Sequence, residues 1–176
     1  MKKQLLIVSV LLHAAFILTV YLFQSVVFPL MRINGLVPLV LPVAATGIAL
    51  YEGRYAGGIV GLFAGILCDI SFNQPTGVFT VLLTFTGLVV GTLADMIILR
   101  GIVTYYIACA AVLIVSAFVQ SFPLMIIPDN NVPMSALLST SIQQTVYSLI
   151  LALPIWFFVQ MLGKRADRVS SSGHVY

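Results

Sequence analysis

The chain has 176 residues, a formal net charge of +3 from 8 Lys+Arg against 5 Asp+Glu, 61% hydrophobic residues and only 7% charged ones. A water-soluble domain carries about 25% charged residues, so a soluble globular fold is excluded. Eight scattered basic residues cannot build the phosphate-tracking patch of a nucleic-acid binder. What remains is an integral membrane protein lying almost wholly in the bilayer.

A helix crossing a hydrocarbon core of about 30 Å needs roughly 20 residues. Met1-Lys2-Lys3 opens the chain like the charged region of a signal peptide. The apolar run behind it continues over 4–28, well past a cleavable segment of roughly 7–15 residues, and predicts an uncleaved first helix. Ser9, His13, Val20 and Gln24 share one face of it, pointing into a bundle. His13 has no carboxylate at helical spacing and reads as a buried, neutral, hydrogen-bonded side chain. The second run, 36–51, is short and holds two prolines. Pro38 suits a first helical turn, whereas Pro42 would kink the helix. The run is a short span or a re-entrant element, with a span preferred.

The third and fourth helices are predicted over 55–72 and 76–99, joined by the tight connection Asn73-Gln74-Pro75-Thr76-Gly77. The fifth, 102–127, carries Ser116 and Gln120 four residues apart, and the sixth, 135–162, carries Ser141, Gln144 and Ser148 on one face. Such stripes hydrogen-bond across membrane helices, each bond contributing roughly 0.6 kcal/mol. Pro154 is expected to kink the sixth helix and bring Trp156 to the cytoplasmic interface. Cys68 and Cys109 lie inside apolar runs and act as small hydrophobes, with no disulfide or zinc site. Residues 1–168 form a single transmembrane domain, and 169–176 a flexible cytoplasmic tail.

Six spans with the amino terminus inside place Lys2, Lys3, Arg54, Arg100, Lys164, Arg165 and Arg168 on the cytoplasmic face and only Arg32 outside. Basic residues in short loops favour that orientation. Five spans would put two basic termini on opposite faces. The expected fold class is therefore all-α: a polytopic membrane protein of six transmembrane helices with both termini cytoplasmic.

Gly57, Gly61, Gly65 and Asp69 repeat every four residues, and Gly87, Gly91 and Asp95 repeat the pattern 26 residues later. Residues four apart lie on one helix face, and small residues there let another backbone approach closely. Three uses are open: packing of the third helix on the fourth, reception of a partner's membrane helix, or approach of a ligand. Each acid stands about one turn from a helix end, where its burial costs less than the roughly 2.5–3.5 kcal/mol of a mid-membrane Asp. Asp69 is on the side of Arg32, and Asp95 on the side of Arg54 and Arg100, which suggests ion pairs.

No arrangement in the sequence supports catalysis. There is no Gly-x-Ser-Gly, Gly-x-Gly-Asp, His-Glu-x-x-His or P-loop, and the two acids sit at opposite ends of their helices. The chain reads as a non-enzyme without a cofactor or metal.

The stretch Gly61-Leu62-Phe63-Ala64-Gly65-Ile66-Leu67-Cys68-Asp69, then Pro75-Thr76-Gly77-Val78-Phe79 and a helix with Gly87 and Gly91, resembles the MreD family of bacterial rod shape-determining membrane proteins. That family's pattern is Gly-aromatic-x-x-Gly-x-x-x-Asp, a short loop, then Leu-Gly. Here Leu62 and Phe63 fill the first apolar positions and Thr76 replaces the Leu before Gly77. The match covers residues 53–92, and the flanks agree in hydropathy only.

The resemblance implies a scaffold in the bacterial cytoplasmic membrane that helps couple cytoskeletal filaments to peptidoglycan synthesis and so maintains cell shape. Implied partners are an MreC-like bitopic protein, a RodA-like glycosyltransferase with its penicillin-binding transpeptidase, MreB-like filaments on the cytoplasmic side, and membrane lipid. It implies a fold similar to the substrate-binding subunit of energy-coupling-factor transporters, and a vitamin-transporter subunit is the rival function. Helix packing or partner contact falls to Gly57, Gly61, Gly65, Asp69, Gly77, Gly87, Gly91 and Asp95, and cytoplasmic contact to Arg54, Arg100, Lys164 and Arg165.

Overall fold

A computed structural model describes residues 2–27, 30, 37–72, 77–97, 101–126 and 134–171. Arg32, Arg100, residues 73–76, the turn 128–133 and residues 172–176 lie outside them. Among the described residues the chain is all-helical, with no strand. The helices are α1 (Lys2–Leu22, prolonged by a π-helical turn, Phe23–Val27), α2 (Val40–Glu52), α3 (Arg54–Phe72), α4 (Val78–Ile97), α5 (Ile102–Ile126) and α6 (Met134–Ser171).

Four stretches among the described residues are long and apolar enough to cross a membrane: Arg54–Ser71, Val78–Met96, Ile102–Gln120 and Ser139–Met161. Leu12–Val27 and Val40–Glu52 are shorter apolar helices.

The shortest helix is at the centre. α2 touches α1, α3, α4, α5 and α6, and every residue from Val40 to Leu50 is buried. Its 13 residues rise about 20 Å, two-thirds of a hydrocarbon core. The helix starts at Val40, so Pro38 precedes it and Pro42 occupies the first turn. There a missing N–H is no loss, and the expected mid-helix kink has no cause. Large apolar side chains such as Phe63, Phe85, Phe118 and Phe157 instead face outward. This is the arrangement a lipid solvent permits, since lipid is as apolar as the side chains.

Between α2 and α3 stands one residue, Gly53, at φ +83°. Its N–H donates to the Ala49 carbonyl (3.1 Å), and its own carbonyl accepts from Gly57 N–H (2.9 Å), so one backbone unit closes one helix and opens the next.

Trp156 packs inside the bundle. It is buried, its ring 4.6 Å from that of Tyr105 and 5.3 Å from that of Tyr51. Aromatic packing of this kind buries large apolar area. α6 is also longer than the sequence suggested, running through Pro154, Lys164 and Arg165 to Ser171.

Candidate functional site

The glycine ladders meet each other. A Cβ on Gly61 would strike the Leu83 carbonyl, one on Gly65 the Cα of Thr80, and one on Gly87 the Gly57 carbonyl. A Cβ on Gly91 would lie 2.6 Å from the Arg54 Cα, and one on Gly57 2.7 Å from the Ala49 Cβ of α2. α3 and α4 therefore touch backbone to backbone along the strip, in the close approach that small residues at four-residue spacing allow. The strip is filled from within the chain.

The acids close the ends of this hairpin. Asp69, buried in α3, accepts from the N–H groups of Gly77 (3.1 Å), Phe79 (3.0 Å) and Thr80 (3.0 Å) and from the Thr80 hydroxyl (2.6 Å). It is the cap of α4. Asp95, exposed near the far end of α4, accepts from Arg54 N–H (3.3 Å) at the start of α3. Each helix carries, near its own end, the acid that caps the other. Asp69 and Asp95 are 26 residues apart, as are Gly61 and Gly87, Gly65 and Gly91, and Arg54 and Thr80. The repeat in sequence is thus a local two-fold in space.

The expected ion pairs take another form. Asp95 meets the Arg54 backbone, while the Arg54 guanidinium donates to Tyr55 Oη (2.7 Å) and lies 4.6 Å from the centre of the Tyr55 ring. Asp69 spends its oxygens on α4, and Arg32 lies outside the described residues. His13 does meet a carboxylate, Glu52 at the end of α2, with Nε2 3.4 Å from Oε1.

The head of α2 is held in the same way. Gln24, set on the π-helical turn of α1, accepts through Oε1 from Val40 N–H (3.0 Å) and Leu41 N–H (2.8 Å). Ser148 of α6 accepts from Leu39 N–H (2.9 Å), and Gln144 Nε2 donates to the Val37 carbonyl (2.8 Å). Three helices in a row are therefore capped by distant side chains. The signal was available in sequence: Gly53 and Gly77 have no side chain to cap with, and the cap position of α2 is Leu39. An N-terminal amide in apolar surroundings must find an acceptor somewhere.

Among the described residues, no three or more His, Cys, Asp or Glu side chains come together in a way that could hold a metal. Gln24, Asp69, Asp95, Gln144 and Ser148 act on backbone at the ends of other helices. Gly77, at φ +104°, opens α4 with open space around it. Lys164 and Arg165 lie in the last turns of α6, and Arg100 lies outside the described residues. The molecule belongs to the class of helical membrane proteins. No protein-family model, curated protein or solved structure matches the chain.

Proposed function

We infer that the chain is a non-catalytic scaffold of the bacterial cell-elongation complex, seated in the cytoplasmic membrane with six helices, both termini inside and a fold like that of the energy-coupling-factor substrate-binding subunit. The observation that carries the reading is the α3–α4 hairpin. The residues that resemble the MreD pattern, Gly61, Gly65, Asp69, Gly87 and Gly91, build one stitched unit. A body so fixed serves to hold partners at set positions.

α4 fills the Gly57–Gly65 strip, so a partner helix is received elsewhere. The outward face of α1 suits it, with Ala15 and Thr19 exposed beside Leu18 and Leu22 and the Thr19 hydroxyl satisfied by the Ala15 carbonyl (2.8 Å). Arg54, Arg100, Lys164 and Arg165 supply the cytoplasmic contacts to filaments or anionic lipid.

The test is photo-crosslinking in native membranes from Leu18 and Leu22, with Gly61 as the internal control. Recovery of an MreC-like or RodA-like protein from α1 is expected. Recovery of neither from any outward face would count decisively against the scaffold. Depletion should round rod-shaped cells, whereas a vitamin requirement in its place would assign the chain to transport.

A further inference from the structure

On α3, α4 and α5 the exposed side chains away from the helix ends are apolar, among them Phe63, Phe85 and Phe118. α6 departs from this. It turns a primary amide outward at Gln143, within the apolar stretch Ser139–Met161, and a second, half-buried one stands at Gln160 near the other end of that stretch. Among the described residues neither amide has a hydrogen-bond partner. Gln144, Thr145 and Ser148, by contrast, are all bonded within the chain. An unpaired amide in hydrocarbon costs free energy that a bond to another helix recovers.

The residues between the two amides complete a surface. Val146, Ile150, Leu153 and Phe157 are all exposed. From Gln143 to Gln160 the six positions advance by three, four, three, four and three residues. That is the register in which two helices interlock side chain into hole as a left-handed pair. The row lies across the helix from the buried Ser148, Ala152, Ile155 and Val159, so its use disturbs nothing in the bundle. No charged residue interrupts it.

The amide selects the occupant. It has two donors and an acceptor, and is therefore its own complement. Copies inserted in one orientation are related by a two-fold axis along the membrane normal, which sets the same patch of each against the other. Gln143 then meets Gln143, and Gln160 meets Gln160.

We propose that α6 is the interface of a homodimer, in which a second copy of the chain packs parallel along Gln143, Val146, Ile150, Leu153, Phe157 and Gln160. The amides fix the register, as a polar residue in an apolar seam does, and the four apolar side chains supply the contact. The surface is separate from the outward face of α1, and the proposal is independent of the scaffold reading.

The experiment reconstitutes the full chain in liposomes, with donor or acceptor dyes at the carboxyl terminus, and follows energy transfer as lipid dilutes the protein. A saturable dimer is expected. Gln143→Leu should raise its dissociation constant about tenfold. Gln143→Asn keeps the amide and should recover most of the affinity. As monomers in excess detergent both variants should unfold at the midpoint of the parent, because Gln143 bonds nothing in its own chain. In native membranes a photo-crosslinker at Ile150 should give the dimer of the chain. One at Phe158 of α6, outside the row, or at Ile107, exposed on α5, should not. Energy transfer that rises only in proportion to protein density, unchanged affinity in Gln143→Leu, or equal dimer yield from all three positions overturns the proposal. Crosslinking of Ile150 to a different membrane protein without the dimer overturns it too, and assigns the face to that protein.

Discussion

Asp69 shows why a charge is tolerated in an apolar helix. Its oxygens take four hydrogen bonds at the positive end of α4, and hydrogen bonds to a charged group are each worth about 1.5–3 kcal/mol. Asp69→Ala strands three amides and should lower unfolding free energy in mixed micelles by about 2–4 kcal/mol. Asp69→Asn keeps one acceptor oxygen and should lose roughly half as much. The glycines separate by what a methyl would meet. Gly61→Ala meets the Leu83 backbone, which cannot yield, and should cost about 1–3 kcal/mol. Gly77→Ala meets no atom, but its positive φ should cost about 1 kcal/mol. Gly58→Ala meets only the end of the flexible Leu88 side chain and should be nearly neutral, offset by better helix propensity. The sequence made these acids and glycines conspicuous. It hid what they touch, because a cap donated by another helix depends on register, and register is a property of the packed pair.

α2 reverses the usual relation between length and importance. The shortest helix has the most neighbours, and its position follows from what holds its ends: Gln24 and Ser148 at the head, and Gly53 and the Glu52–His13 pair at the foot. Gln24→Leu removes the acceptor of two amides and should cost about 2–4 kcal/mol, with the loss visible as faster hydrogen exchange at Val40 and Leu41. Gln24→Glu keeps an acceptor oxygen for both amides and adds a charge that the helix end favours, so it should restore most of the protection. The sequence showed the short run and its prolines but placed the helix start four residues early. Pro38 and Pro42 each satisfy the first-turn rule, and only the caps on residues 39–41 decide between them.

For the whole molecule, the scarcity of charge pointed to a membrane protein and the length of the apolar runs to helices. Neither signal carried the arrangement of five helices around one, because apolar periodicity is faint when both lipid and core are apolar. The two cysteines provide a check on that arrangement. Cys68 and Cys109 are fully buried on α3 and α5. Neither should react with a membrane-permeant maleimide in intact membranes, and both should react after denaturation. Rapid labelling of either in the native state would contradict the packing. The unlabelled parent then serves as the background for single-cysteine mapping of which termini and corners face the cytoplasm.

The exchange of caps between α3 and α4 bears on how the chain enters the bilayer. Either segment leaving the translocon alone would carry an unanswered carboxylate and a row of bare amides into hydrocarbon, and each answers the other's need. The two segments should therefore partition into lipid together, and crosslinking of α3 to the exit in chains arrested before α4 is made would check it.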